Sequence, residues 1–236
     1  MRNYITFAGQ DLRQFGVYIS GEGTYSAPQR EYQQIAVPGR NRDLLIDGKR
    51  YGNIQIVYPA FIYSNLKQNL AGLRAFLLSQ TGYQRLTDTY HTGEFRQACY
   101  AGPFEPEVTA KGDAGSFELV FNCGPQRYLT SGETSTTLTA DGTITNPTRF
   151  NSKPLLRVRG NGTVGIGAFS FTVASNSNNY TDIDCEMLDC FRGSANRNNY
   201  VTFTNHEFPE LVPGANGITL GSGITSVRIT PRWWTI

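Results

Sequence analysis

One segment of this chain, and one alone, repeats its apolar residues at helical spacing. In SNLKQNLAGLRAFLLSQTG, Leu66, Leu70, Leu73 and Leu77 recur at steps of four, three and four, which aligns them along one face of a helix. Ser64 is placed to cap the first turn and Gly82 to stop the last. The stripe reads as the buried face of an amphipathic helix laid on a sheet, and nothing in it suggests a cofactor pocket. All other periodic segments are strand-like, so the sequence predicts a mainly β protein with one α-helix.

The strands are legible as short runs of aromatic and branched residues bounded by Gly or Pro. NYITF, FGVYIS, EYQQIAV and YGNIQIVYPAFIYS precede the helix; YQRLTDTY, EFRQACYAG and GSFELVFNC follow it. Ile54, Ile56 and Tyr58 alternate as far as Pro59, which predicts an edge or a strand end there. The stretch from Gly124 to Pro154 then changes character to Ser, Thr, Gly and Asn, placing a domain boundary near Thr130, with domains 1–130 and 131–236. Beyond it LLRVRG, VGIGAFSFTV, YTDIDCEMLDCF, NYVTFTN, GITL and TSVRITPRWWTI are spaced by turns in the manner of a β-sandwich. With 236 residues the chain can bury proper cores, and its 25 glycines, 13 tyrosines and 14 phenylalanines suit turns and β packing.

Charge excludes some functions. Twenty-one basic against nineteen acidic side chains leave a net charge of +2, too little to attract a polyanion. No run approaches the length of a membrane span, and the N-terminus reaches Gln10 and Asp11 before a signal-peptide core could form, so the expectation is a chain without membrane insertion, made and kept in the cytosol of its cell. Cys99, Cys123, Cys185 and Cys190 fit neither a disulfide framework nor the paired spacing of a zinc site, and read as buried thiols.

Three motifs carry possible chemistry. GNGTVG, from Gly160 to Gly165, satisfies the dinucleotide pattern G-x-G-x-x-G, but an alternating strand follows it where a helix is required, so it reads as a hairpin turn. In DIDCEMLD the carboxylates of Asp182, Asp184 and Glu186 alternate and would project from one face at spacings of about 7 Å. Such alternation occurs in retaining glycosidases built on β-sandwiches, which use a nucleophile and an acid; the plainer reading is a polar, solvent-facing strand whose Ile183 and Cys185 enter the core. His91 and His206 lie far apart, with no Ser, Cys or His at a catalytic spacing. Asn161 and Asn179 head N-x-T sequons that matter only in a secreted eukaryotic protein. No catalytic, cofactor-binding or metal-ligating residue is therefore assigned.

The chain closes on PRWWTI. In a last strand SVRITPRWWTI, alternation sends Trp233 and Trp234 to opposite faces, one ring filling the core and the other covering a neighbouring surface, with roughly 150 to 250 Å² buried by each. Packing is favoured over a sugar-stacking platform, because adjacent strand residues cannot present both rings to one ligand.

Taken in order, these strings resemble a known family. The opening FAGQDLRQFGVYISGEGTYSAPQREYQQIAVPGRNRDLLIDGKRYGNIQIVYPAF is similar to that of distal tail proteins of siphophages that infect Gram-positive bacteria. GSFELVFNCGPQRYL, NPTRFNSKPLLRVRGNG, YTDIDCEMLDCFRG and FPELVPGANGITL leading to ITPRWWTI extend the resemblance over nearly the whole chain. The resemblance implies a non-enzymatic structural virion protein at the distal end of the tail, assembled in the host cytoplasm and needing no cofactor. It implies an N-terminal β-rich domain with one helix that forms a hexameric ring beneath the tail tube, and a C-terminal galectin-like β-sandwich outside it. The implied partners are further copies of the chain, the major tail tube protein, the tail-associated fibre or lysin and, in some phages, receptor-binding or baseplate proteins, with DNA only passing through the channel. The alternative from the residues is a carbohydrate-binding module or glycoside hydrolase acting on host-surface polysaccharide through Asp182, Asp184 or Glu186. Strand edges suit ring closure, EYQQIAVPGRN and EFRQACYAG being examples.

Overall fold

The computed structural model describes residues 2–236 apart from Thr24, Ala101, Phe104, Ala110, Lys111, Ser177 and Asn178. Alternating apolar and polar residues build two compact units, residues 1–127 with Ile236, and residues 128–235.

The first unit contains β1 (Ile5–Phe7), β2 (Gln10–Asp11), β3 (Tyr18–Ile19), β4 (Arg30–Ile35), β5 (Leu44–Tyr51), β6 (Ile54–Ile62), α1 (Leu66–Ser79), β7 (Gln84–Asp88), β8 (Glu94–Tyr100), β9 (Glu107–Val108) and β10 (Gly115–Cys123). Its main sheet runs β2-β1-β7-β8-β10-β6-β3, with β9 beside the start of β10. Asn3 bridges Ile19, whose N–H donates to the Asn3 carbonyl at 3.0 Å. This brings the start of the chain against β3, at the far end of that order, and curls the sheet around its core. Phe7, Ile56, Leu119 and Phe121 fill the interior, with the Phe7 and Phe121 rings 5.0 Å apart.

The helix lies where its leucines predict. Leu66, Leu73 and Leu77 are buried and Leu70 packs beside them, each fully buried leucine contributing roughly 1.5–3 kcal/mol. Its start differs from expectation, because Ser64 offers no side-chain cap. Asn65 takes a left-handed conformation, and Asp113 receives the orphan donors instead: the Asn65 N–H reaches Asp113 Oδ1 at 2.9 Å and the Leu66 N–H its carbonyl at 3.2 Å. Pro59 also departs in detail, since it lies inside β6 opposite Glu118 of β10. Its missing N–H falls on the β3 side, where β3 stops at Ile19 and Ser20 already donates to the Pro59 carbonyl at 2.8 Å, so no ladder bond is lost.

β11 (Arg127–Leu129) begins on the last residue of the first unit and runs into the second, which continues with β12 (Thr136–Leu138), β13 (Gly142–Asn146), β14 (Leu155–Gly160), β15 (Gly162–Ile166), β16 (Phe169–Val173), β17 (Tyr180–Asp184), β18 (Asp189–Arg192), β19 (Ala195–Asn196), β20 (Val201–Phe203), β21 (Gly214–Leu220), β22 (Ile224–Thr230) and β23 (Trp234–Thr235). Two sheets form a sandwich, one ordered β12-β22-β14-β17-β18-β19 and the other β13-β21-β15-β16-β20. Leu156, Val158, Ile183, Val227 and Ile229 from the first sheet meet Val164, Ile166, Phe171 and Ile218 from the second in one apolar core.

The GNGTVG string is not a hairpin but the corner where the chain leaves one sheet for the other, because β14 and β15 belong to different sheets. Gly160 and Gly162 have positive φ and press against the 222–223 backbone: a Cβ on Gly160 would stand 2.1 Å from the Gly223 carbonyl oxygen. Their hydrogen atoms serve packing, and the strand that follows offers no phosphate cradle.

The two tryptophans separate as expected but by another route. Pro231 ends β22 and Arg232, at φ 58°, turns the chain, so the terminal segment is divided between β22 and the two-residue β23 rather than forming one strand. Trp233 is buried in the sandwich core, while Trp234 stacks on Phe150 at 4.5 Å and donates Nε1–H to the Asn151 carbonyl at 2.9 Å. The 3-10 turn Thr130–Glu133 holds the segment from outside: the Gly132 carbonyl accepts from Arg232 N–H at 2.8 Å, and a Cβ on Gly132 would lie 2.2 Å from Trp233 N.

Candidate assembly surface

Strands β4 and β5 form a two-stranded hairpin outside both cores. Among the described residues they pair only with each other, from Arg30↔Tyr51 to Ile35↔Leu44, across a turn that includes Pro38 and Gly39 and is closed by the Arg40 N–H donating to the Val37 carbonyl at 3.1 Å. Every residue of β4 is exposed, and so is every residue of β5 except Tyr51. Alternation divides the hairpin into two faces. Ile35, Leu44 and Ile46 share one with Gln33; Tyr32 and Leu45 share the other with an Arg30–Asp47 ion pair. These five apolar side chains are 39% to 56% exposed, although packed cores elsewhere in the chain exclude such residues from water.

Two ion pairs near its base add little to hold it. Arg30 donates to Asp47 through both Nε and Nη2, lowering the aspartate's pKa through that hydrogen bond, and Arg50 lies 3.3 Å from Glu31. Exposed pairs of this kind contribute little to stability, and an isolated two-stranded hairpin is marginal in water. A hairpin that keeps an aliphatic face without a core beneath it is suited to lying against something else. Of the two edges named from the sequence, EYQQIAV fits this surface, whereas β8 of EFRQACYAG is flanked by β7 and β10 and is no edge; its Ala101 lies outside the described residues. The partner strand β5 was not legible as a strand.

The carboxylates of β17 are arranged for a different purpose. Asp182 and Asp184 do share a face, yet they are only 5% and 4% exposed, which corrects the reading of a solvent-facing strand. Each is held by its own arginine in a two-pronged pair: Arg157 on Asp182 at 2.7 and 2.8 Å, and Arg232 on Asp184 at 2.7 and 2.8 Å. Asp184 Oδ1 also accepts the N–H groups of Glu186 and Met187, at 3.0 and 3.1 Å. Burial alone would raise its pKa, but Arg232 and these backbone donors outweigh it and hold the carboxyl below the usual range. Glu186 lies beyond the strand, exposed and 3.7 Å from Arg232. A glycosidase needs one carboxyl free to carry a proton; the carboxylates of Asp182 and Asp184 are each engaged by an arginine instead.

His91 sits by Asp88, Nδ1 at 3.1 Å, in a cluster where Asp88 also accepts from Tyr58 at 2.7 Å, and among the described residues no Ser or Cys lines the pocket they share. Cys123, Cys185 and Cys190 are buried as expected while Cys99 is only half-buried, and burial pushes the thiols of Cys123 and Cys190 up to about 12 and that of Cys185 higher still, away from thiolate chemistry. Among the described residues no group of three His, Cys, Asp or Glu side chains could hold a metal ion.

No protein-family profile and no curated protein sequence matches the chain. Among solved structures it is similar to the SPP1 Dit (gp 19.1) protein, presented as a paradigm of the hub adsorption apparatus in phages infecting Gram-positive bacteria. The TM-score is 0.77 at 13% sequence identity, and the likeness covers 100% of both chains. A chain of the phage p2 baseplate in its activated conformation with Sr also aligns, at a TM-score of 0.48 and 11% identity over 96% of this chain and 97% of that one. The fold is thus that of SPP1 Dit over its whole length, a mainly β architecture with one α-helix among the described residues.

Proposed function

We propose that this chain is a structural virion protein of a siphophage tail tip, a distal tail protein whose copies close into a hexameric hub ring. The fold shared with SPP1 Dit over the entire chain carries this reading, and the sequence strings that run in order from Phe7 to Ile236 support it. The first unit makes the ring, and its uncovered hairpin supplies a surface of the kind that repeated heterologous contacts require. The second unit is a galectin-like sandwich carried on the ring. The hub joins the tail tube to the fibre or lysin and to any receptor-binding or baseplate proteins, is assembled in the host cytoplasm, and lets DNA pass without reading it. Catalysis is no part of this role, and the clamped state of Asp182 and Asp184 argues against the hydrolase alternative.

Purified chain, alone and with its tail-tube protein, provides the test. Light scattering and negative-stain microscopy are expected to give closed hexameric rings. A chain that stays monomeric in the presence of its tube protein, or whose labelled copies lie away from the tube's end in virions, overturns the proposal. Hydrolysis of host polysaccharide that is abolished by Asp184→Asn with the fold intact would favour the alternative.

A further inference from the structure

A buried arginine of the first unit has no acceptor. Arg96, on β8, stands opposite Leu86 of β7 and shares its strand face with Ala98; both are core residues, so the register carries the arginine side chain inward. It is 8% exposed, and among the described residues neither Nη1 nor Nη2 has a hydrogen-bond partner. A guanidinium keeps its charge and can only donate, and a buried charge is costly unless it is paired and hydrogen-bonded. Burial first, and the charge of nearby Arg127 second, lower the Arg96 pKa. Arg96 and Arg127 line a cavity of about 20 Å³ together with Tyr58, Asp88, His91 and Glu94. The two carboxylates of its wall are already engaged. Asp88 Oδ2 accepts from the Tyr58 hydroxyl at 2.7 Å, and Oδ1 from the N–H groups of Tyr90 and His91 at 2.9 and 2.8 Å, with His91 Nδ1 3.1 Å away. Four donors fill what a carboxylate offers. Glu94 Oε2 takes no hydrogen bond and lies 3.5 Å from Arg127 Nη1 as its ion-pair partner.

We infer that this cavity is a binding site for a monatomic anion, chloride being the abundant example, held by the Nη1–H and Nη2–H groups of Arg96 beside Arg127. The volume admits one water-sized body and is too small for a phosphate, a sulfate or a carboxylate. A water would accept from Arg96 but bring no charge between the two guanidinium groups; an anion does both, and hydrogen bonds to an ionised acceptor are the stronger kind. Of the wall carboxylates, which repel an anion, Glu94 is matched by Arg127 and Asp88 is covered by its four donors. The ion would join the end of β7, the turn after it, β8 and the first residue of β11. A ligand that binds only the folded chain stabilises it by mass action. The inference is independent of the hub reading.

The test is urea unfolding of the full chain at fixed ionic strength, with sodium chloride exchanged for sodium gluconate, whose anion is too large for the cavity. Above the dissociation constant, a tenfold rise in chloride is expected to raise the folded-to-unfolded ratio about tenfold in the wild type and to leave it unchanged in Arg96→Met. A second measurement needs no variant: crystals of the wild-type chain transferred to sodium bromide should give an anomalous-scattering peak within hydrogen-bond reach of both Arg96 Nη atoms. A wild type indifferent to chloride, or a chloride dependence that persists in Arg96→Met, overturns the inference. A bromide peak without any dependence in solution is binding at crystal concentration only, and overturns it too. If Arg96→Met does not fold, wild-type chloride dependence together with the peak sustains the inference, and dependence with no peak at Arg96 overturns it.

Discussion

The β4–β5 hairpin and the β17 strand are both rich in charge, and the chain treats them in opposite ways. On β17 each aspartate is sunk below its arginine, at least twice hydrogen-bonded and shielded from water. On the hairpin two ion pairs lie in solvent, Arg40 and Arg42 have none among the described residues, and aliphatic side chains stand exposed among them. A charge satisfied inside the fold is part of the fold; a charge left unsatisfied beside apolar surface is available to a partner. The difference separates structure from function more sharply than residue type does, since the catalytic-looking carboxylates are the structural ones.

The sandwich side of this contrast gives the largest effects. Trp233→Ala removes a ring buried in the core, at a cost of about 3–5 kcal/mol, and truncation before Trp233 also removes the backbone held by Leu129, whose N–H donates to the Trp233 carbonyl at 2.8 Å. The truncated chain is expected to misfold or become insoluble. A soluble truncated chain with unchanged melting would mean that the terminal segment is an ornament rather than a part of the core.

Next come the clamps. Asp184→Asn leaves Arg232 half-hidden without its anion, and denaturant unfolding should show a loss of about 2–4 kcal/mol, as for other broken buried pairs. Asp182→Asn should cost about 1 kcal/mol or less, because the Arg157 side chain is 38% exposed and water can replace the partner. Equal losses at the two sites would break the distinction. The Asp184 effect has a pH signature. Its pKa is lower folded than unfolded, so its stabilisation is complete above the ordinary value of 3.8 and is lost as the pH falls from there through the folded value. The gap in unfolding free energy between wild type and Asp184→Asn should therefore narrow on acidification below about pH 4; a gap constant from pH 6 to pH 2 would mean that the carboxylate charge is not what stabilises.

Much of this was legible in the sequence. The leucine stripe gave the helix, alternation gave the sandwich strands, and adjacency forced Trp233 and Trp234 apart. What escaped depended on residues distant in the chain. Asp113, forty-eight residues after Asn65, caps the helix where Ser64 was expected to. The aspartates of β17 read as solvent-facing because period two reports a face, not what covers it; Arg157 and Arg232 lie 25 and 48 residues from their partners. β5 was missed altogether, since Asp47–Gly48 reads as a turn and Lys49 takes φ 55°, features that bend the strand without ending it. Nothing local marks Leu44, Leu45 and Ile46 as exposed, because hydrophobic pattern predicts burial and carries no information about whose surface does the burying.

The smallest expected effect on folding is also the one that tests the contrast most directly. Replacing residues 30–51 with a short Gly-Ser linker removes the whole hairpin, yet none of it supports either core. Within the first unit the deletion takes away exposed pairs of little net value and closes the chain between Gln29 and Gly52, whose backbones already meet through an N–H···O bond of 2.9 Å. Thermal unfolding should move by no more than the change of about 0.5 kcal/mol that typical surface substitutions produce. Self-association, measured on the same samples by light scattering, should be lost. If instead the melting temperature falls by many degrees while assembly persists, the hairpin is a structural part of the unit, and its exposed aliphatic face has to be explained by the fold and not by a neighbour.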